Sequence, residues 1–263
     1  PYALEANRGQ YIPWVQYHTR VPAGELFFGP DRLKYVFGKP AQLQKLHNEW
    51  RYKNPDSVRL DYHILDVQFV GANEEATIAP AGKLHAHTNY FRGRDSSRWA
   101  RQVPSYSDLT YQQLYPGVDL HVYTSETNYL KYDFELAPGA DAGQIRMRYK
   151  GATGVELQPN GKLHVVTPLQ EIYEAIPYAY QVIGGKKVLV PCKYVQHSAT
   201  EVGFRFPDGY NSSAPLIIDP TLVFSTYSGS TADNWGFTAT FQPGAGNLFS
   251  GGIAIGVTPT ERF

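Results

Sequence analysis

"GELFFGPDRLKYVFG", residues 24–38, is the stretch on which the fold turns. Leu26-Phe27-Phe28 and Leu33-Lys34-Tyr35-Val36-Phe37 are short apolar and aromatic runs, punctuated by Gly24, Gly29-Pro30-Asp31 and Gly38. Runs of this length between turn residues read as strands, joined here into a meander. Tyr11, Trp14 and Tyr17 extend the pattern upstream. The whole chain is made the same way: its 263 residues hold 20 Tyr, 13 Phe, 4 Trp, 24 Gly and one Met. Aromatic side chains suit a pleated, half-buried surface, and Gly and Pro punctuate turns. The expectation is an all-β protein.

Further along, "YHILDVQFVGA" (62–72) reads as a strand. "TNYFRGRDSSRWARQVPSYSDLTYQQLYPGVDLHVY" (88–123) reads as a connector rich in aromatics and turn signals that ends in a strand. Between 129 and 206 strands follow closely, with turns at Pro138-Gly139, Pro159-Asn160-Gly161, Gly184-Gly185 and Pro207-Asp208-Gly209. Helical spacing occurs in "AQLQKLHNEWRY" (41–52), where Leu43, Leu46 and Trp50 fall at i, i+3 and i+7. A short helix or an ordered excursion fits that stretch equally.

Two segments share an order of residues. "QFVGANEEATIAPAGKLHAHT" (68–88) and "RYKGATGVELQPNGKLHVVT" (148–167) both run Gly-Ala, spacer, Gly-Lys-Leu-His, then Thr. Convergent hairpins or a duplicated β-sandwich unit would both produce it. Duplication implies two related lobes, 1–104 and 105–218. Residues 219–263 then begin a new unit, with a strand at "TLVFSTYSG" and two more around a Gly-Asn turn. Units of about 40–45 residues built of short strands and periodic glycines are propeller blades. The fold expected is a two-lobed, sandwich-like β domain followed by the first blade of a propeller-type repeat.

Charge excludes some partners. Lys+Arg and Asp+Glu are both 24, so no net field attracts nucleic acid or an anionic membrane. No run of 18 apolar residues offers a transmembrane helix. Cys192 is alone, which rules out an internal disulfide and a cysteine-based zinc cluster. The start at Pro1 fits a processed export product or a trimmed chain.

The segment "LIIDPTLVFSTYSGSTADNWGFTATFQPGAGNLFSGG" (216–252) resembles the junction, in large Bacteroidetes surface proteins, between an N-terminal β domain and SBBP-type β-propeller repeats. The repeat-like residues are Ser225-Thr226-Tyr227-Ser228-Gly229, Asp233, Gly236 and Gly246-Asn247-Leu248-Phe249-Ser250-Gly251, with Ser228 where the repeat usually has Gly. The preceding domain is matched by "ANRGQY" (6–11), "NYFRGRDSSRW" (89–99), "YPGVDLHVY" (115–123), "LKYDFELAPGAD" (130–141), "PYAYQ" (177–181) and "VPCKY" (190–194). The resemblance implies export, often by type IX secretion, and a secreted or cell-surface location. It implies no known activity for the domain. Asp56-Ser57-Val58 also matches the pattern at which Bacteroidetes O-glycosylate exported proteins, making Ser57 a candidate.

Each chemical signal meets a plainer reading. His85 and His87 stand at i, i+2, where two imidazoles on one strand face can chelate an ion. Asp61, His63 and Asp66 lie upstream, and Asp119 and His121 form a second such pair. No HExxH helix supplies a third ligand, so exposed strand histidines are the better reading, and no cofactor is implied. Asp133 and Glu135 share a strand face with Lys131, too close together to straddle a glycosidic bond. They read as a cross-strand charge ladder. Trp99, Tyr106, Tyr111 and Tyr115 could stack a sugar, against the plainer role of packing between lobes. The functional expectation is a non-enzymatic structural or interaction module, adhesion-related, of an exported surface protein. Its partners would be other domains of the same longer chain, with surface proteins or glycans. The alternative is an extracellular carbohydrate-binding or glycan-hydrolysing module.

Overall fold

A computed structural model describes residues 2–21, 24–39, 42, 60–91, 94–125, 130–220, 222–224, 233–241 and 248–255, the last three segments as backbone alone. The opening strands are β1 (Leu4–Ala6), β2 (Tyr17–Val21), β3 (Gly24–Gly29), β4 (Arg32–Gly38), β5 (Tyr62–Phe69), β6 (Thr77–Tyr90) and β7 (Ala100–Tyr115). Next come β8 (Val118–Thr124), β9 (Leu130–Leu136), β10 (Arg146–Lys150), β11 (Gly154–Leu157), β12 (Leu163–Val166), β13 (Glu171–Glu174) and β14 (Tyr178–Ile183). The last are β15 (Lys186–Val190), β16 (Lys193–Ser198), β17 (Glu201–Arg205), β18 (Leu216–Asp219), β19 (Leu222–Phe224), β20 (Asp233–Phe241) and β21 (Leu248–Ile255). The protein is all-β and sandwich-like.

The meander at 24–38 forms as its spacing dictates, with Phe28 opposite Leu33 and Leu26 opposite Tyr35. Alternation buries Leu33, Tyr35 and Phe37 and turns Lys34 and Val36 outward. The same rule on β9 sends Leu130, Tyr132, Phe134 and Leu136 inward, with Lys131, Asp133 and Glu135 on the other face. All four turns anticipated between 138 and 209 connect elements, and Gly139, Gly161, Gly184, Gly185 and Gly209 take positive φ there.

A 15-stranded antiparallel sheet runs β15-β14-β18-β9-β8-β7-β1-β2-β3-β4-β5-β10-β17-β16, with β6 also on β7. The long strand β7 organises it. Tyr106 pairs with both Lys83 and Leu4, and Asp108 with both Ala81 and Tyr123. One edge of β7 therefore carries β6, while β1 and β8 lie end to end along the other. Two wings leave from that junction and close on each other. Phe69 of β5 meets Phe134 of β9 at 6.3 Å, and Phe134 meets Phe204 of β17 at 5.8 Å. The sheet's terminal strands, β15 and β16, are joined by only Pro191 and Cys192. A connection that short requires the two ends of the strand order to lie side by side, so the sheet folds onto itself in two layers. Strands β11, β12, β13 and β19 form a second sheet of four.

Residues 88–123 depart from the sequence reading. They are not mainly a connector: β7 takes sixteen of them. Turn-like residues are accommodated by bulges, at which Gln102 and Gln113 adopt left-handed φ of 50° and 52°. Tyr11 and Trp14 lie in the loop between β1 and β2, not in a strand. The expected boundary between residues 104 and 105 falls inside β7, and the lobes 1–104 and 105–218 share one sheet.

The two Gly-Lys-Leu-His segments also fold differently. In 148–167, Gly161 sits at the turn of the hairpin β11–β12. In 68–88, Gly82 lies within β6, which continues to Tyr90 against β7. There the glycine admits Ser107: a Cβ at Gly82 would overlap its Oγ. The same residue makes a turn in one place and a close approach in the other. The segments do meet, because β5 pairs with β10, Gln68 opposite Arg148.

By contacts the chain divides into two units, Pro1–Ser225 and Thr226–Phe263. In the second, β20 and β21 pair antiparallel, Phe241 opposite Leu248. The expected helical stretch lies outside the described residues apart from Gln42, and Ser57 lies outside them too.

Candidate functional site

The loop between β1 and β2 is built by two amide side chains. Asn7 Oδ1 accepts from the backbone N–H groups of Gly9 (3.0 Å) and Tyr11 (3.2 Å), and its Nδ2 donates to Val15 O (2.7 Å). Gln10 Nε2 donates to Ala6 O (2.7 Å) while its Oε1 accepts from Arg8 N (2.6 Å). Short polar side chains that bond nearby backbone pin a loop without regular structure. "ANRGQY" is thus a loop-forming unit. Its product is the placement of Tyr11, whose ring lies 4.9 Å from His18 and 5.2 Å from Phe27.

His18 is the centre of a polar cluster. Register sets it directly opposite Glu5, from β1, and its side chain is nearly wholly buried. Nδ1 lies 3.3 Å from Tyr11 Oη and 3.9 Å from Glu5 Oε2. Nε2, 3.6 Å from Glu25 Oε2, is buried and has no hydrogen-bond partner among the described residues. Thr88 Oγ1 donates to Glu5 Oε1 (2.5 Å), and Tyr90 Oη donates to Glu5 Oε2. Burial and the Glu5 and Tyr11 oxygens beside it hold the Tyr90 phenol well above its ordinary pKa. The cluster borders a cavity of about 560 Å³ between β1, β2 and β6, which Tyr2, Arg20 and Asn89 also line. The loop itself, with Phe27, Val36 and Ile64, lines a second, mostly apolar concavity of about 550 Å³ beside Trp14.

The residues singled out from sequence are distributed otherwise. Tyr111 and Tyr115 are core residues, 0% and 1% exposed, and cannot stack a ligand. Alternation with Leu109 turns Tyr111 inward, and the bulge at Gln113 turns Leu114 and Tyr115 inward together. Tyr106 packs on Tyr17 (6.2 Å), and Trp99 packs edge-on against Phe91 (5.1 Å). The four rings form no common platform.

His85 and His87 are exposed on β6. Among the described residues no group of three or more His, Cys, Asp or Glu is placed to hold a metal. Their upstream companions are engaged elsewhere: His63 Nε2 with Gly151 O (2.7 Å), Asp61 with Lys39 (2.8 Å), Asp66 with Arg32 (3.3 Å). Asp119 accepts from the N–H of Gln113 (2.7 Å).

The charge ladder is present. Lys131 Nζ lies 2.6 Å from Asp219, and His121 stands between Asp108 (3.1 Å) and Glu135 (3.7 Å). Asp133 Oδ2 accepts from Tyr123 Oη (3.1 Å), while Oδ1 is buried without a partner among the described residues. Burial, then the neighbouring Asp219, pushes the Asp133 carboxyl up to about 6. Ser107 Oγ donates to Asp108, whose other oxygen meets His121. The acid therefore sits between hydroxyl and imidazole, so the imidazole meets the acid and not the serine, unlike a Ser–His pair.

One cluster had no notice in the sequence reading. Glu174 is fully buried and accepts from Tyr132 (2.9 Å) and Tyr194 (3.0 Å) on Oε2 and from Tyr149 (2.9 Å) on Oε1. Burial raises its pKa and the three hydroxyls oppose that rise. The signal was parity: in "EIYE" (171–174), Glu174 shares the inward face with Ile172.

A family profile described as "Domain of unknown function (DUF7948)" matches residues 4–221. The chain belongs to this family. The DUF7948 span runs from the first residue of β1 to just past β18, and it contains Glu5, His18 and Glu174. No curated protein and no solved structure matches the chain.

Proposed function

We propose that this DUF7948 domain is a non-catalytic interaction module of an exported, cell-surface protein, followed by SBBP-type propeller repeats. The carrying observation is where the parts meet. The family match ends at residue 221, the compact unit ends at Ser225, and the repeat-like run begins at Ser225-Thr226-Tyr227. A separate β hairpin, β20–β21, follows. Such an order suits a folded head carried by a repeat array, and blades need neighbours to bury their faces. Export by a type IX route in a Bacteroidetes cell belongs to the same reading, with the other domains of the chain and surface proteins or glycans as partners.

The clusters described above support a binding role over hydrolysis. Ser107 bonds to Asp108 and not to an imidazole, and His121 is held between two carboxylates. No helix among the described residues is long and apolar enough to cross a membrane. The test is protease shaving of intact cells of the encoding organism, followed by blotting for residues 1–225. Loss of the band before lysis is expected; a band that persists until lysis overturns the surface assignment.

A further inference from the structure

We infer that the cavity between β1, β2 and β6 binds a neutral, polyhydroxylated ligand, that is, a saccharide unit. The inference rests on the interaction-module reading and names the partner class. The volume, about 560 Å³, lies within the roughly 300–1,000 Å³ typical of small-ligand sites. Its walls decide the chemistry. Tyr2 and Tyr90 supply rings, Arg20 and Asn89 supply donors, and Glu5 and Thr88 supply oxygens.

An apolar ligand would cover the Arg20 guanidinium and the Asn89 amide and offer them nothing in place of water. Glu5 and Arg20 carry opposite charges on the same cavity, so a ligand of either sign is attracted by one and repelled by the other. Sugar hydroxyls donate and accept at once and satisfy both. Rings with a polar tip suit the alternating apolar and polar faces of a pyranose.

The site is also built to hold its shape. Thr88 and Tyr90 fix both Glu5 oxygens, and buried His18 backs the carboxylate from the neighbouring strand. Groups locked from behind in this way present a fixed pattern to a ligand at little entropic cost. The concavity beside Trp14 is mostly apolar, with Gln10, Tyr11 and Lys34 as its polar lining and no carboxylate.

The experiment is saturation-transfer NMR on the full chain with maltose, cellobiose, lactose and diacetylchitobiose as probes. Each is supplied at about 10 mM, enough to populate a millimolar site. Citrate and spermidine serve as charged probes. Arg20 is exposed, so Arg20→Ala leaves the fold intact, which an unchanged melting temperature verifies. Tyr90→Phe keeps the ring and removes the bond to Glu5.

Transfer from at least one disaccharide, reduced tenfold or more by Arg20→Ala and weakened by Tyr90→Phe, is the expected result. Silence from all four sugars, transfer from a charged probe alone, or signal undiminished in Arg20→Ala overturns the saccharide assignment. None of those outcomes touches the surface location, which the shaving experiment decides separately.

Discussion

Removing the tyrosine hydroxyls around Glu174 one at a time should destabilise the protein unequally. Glu174 Oε1 accepts from Tyr149, whereas Oε2 accepts from both Tyr132 and Tyr194. Hydrogen bonds to a charged group contribute about 1.5–3 kcal/mol net, with the top of that range expected where no other donor remains. Tyr149→Phe should therefore cost about 3 kcal/mol, and Tyr132→Phe or Tyr194→Phe about 1.5 kcal/mol each. The pH dependence has a definite sign. Because burial raises the folded-state pKa of Glu174 above its unfolded value, its contribution is fully present below the unfolded pKa and is lost as pH rises through the folded one. Taking away a hydroxyl raises the folded pKa further, so each variant should lose more at pH 8 than at pH 5. Urea unfolding at both pH values reads these differences, provided m is unchanged. A second arm tests the cluster as a unit: Glu174→Met alone strands three hydroxyls, while Glu174→Met with all three Tyr→Phe changes leaves nothing polar behind. The quadruple variant should be more stable than Glu174→Met. Equal, pH-independent losses at the three tyrosines, with the quadruple variant no better than Glu174→Met, would refute the reasoning.

Asp133→Asn should stabilise the protein above pH 6 and do little below pH 4. The carboxyl rises from 3.8 to about 6 on folding, so its contribution is present below the lower value and lost through the upper. The shift corresponds to about 3 kcal/mol, reduced to about 1–2 kcal/mol by solvent screening, and paired melts at pH 4 and 8 check it. Gly82→Ala should lower the melting temperature more than Gly184→Ala. Both take positive φ, but only at Gly82 would a Cβ overlap a neighbour, and Ser107→Ala should restore part of the loss. Elemental analysis of protein purified without chelator should find no stoichiometric zinc, and His85→Ala with His87→Ala should leave the melt unchanged; bound zinc lost in that variant would revive a metal site. Cys192, whose thiol burial pushes up to about 12, should resist iodoacetamide at pH 8 until denaturant is added, and rapid labelling of folded protein would contradict its burial.

Strand identity and turn placement in 24–38 and from 130 to 209 were legible in the sequence because both are local. Two-residue alternation in 24–38 and 130–136 and the glycines at 139, 161, 184 and 209 depend on backbone sterics and neighbouring side chains alone. Cross-strand register was not, and it decided the rest. Tyr111 and Tyr115 could be read either as stacking rings or as packing residues until the fold covered that face of β7, and Gly82 read as a hairpin turn until β7 supplied its partner. Glu5 and His18 lie thirteen positions apart, yet pairing of β1 with β2 sets them face to face, and β6 brings Thr88 and Tyr90 from more than eighty residues away. Alternation assigns a residue to one of two faces; which face is buried, and what meets it there, depends on strands distant in sequence, and that is where the candidate site arose.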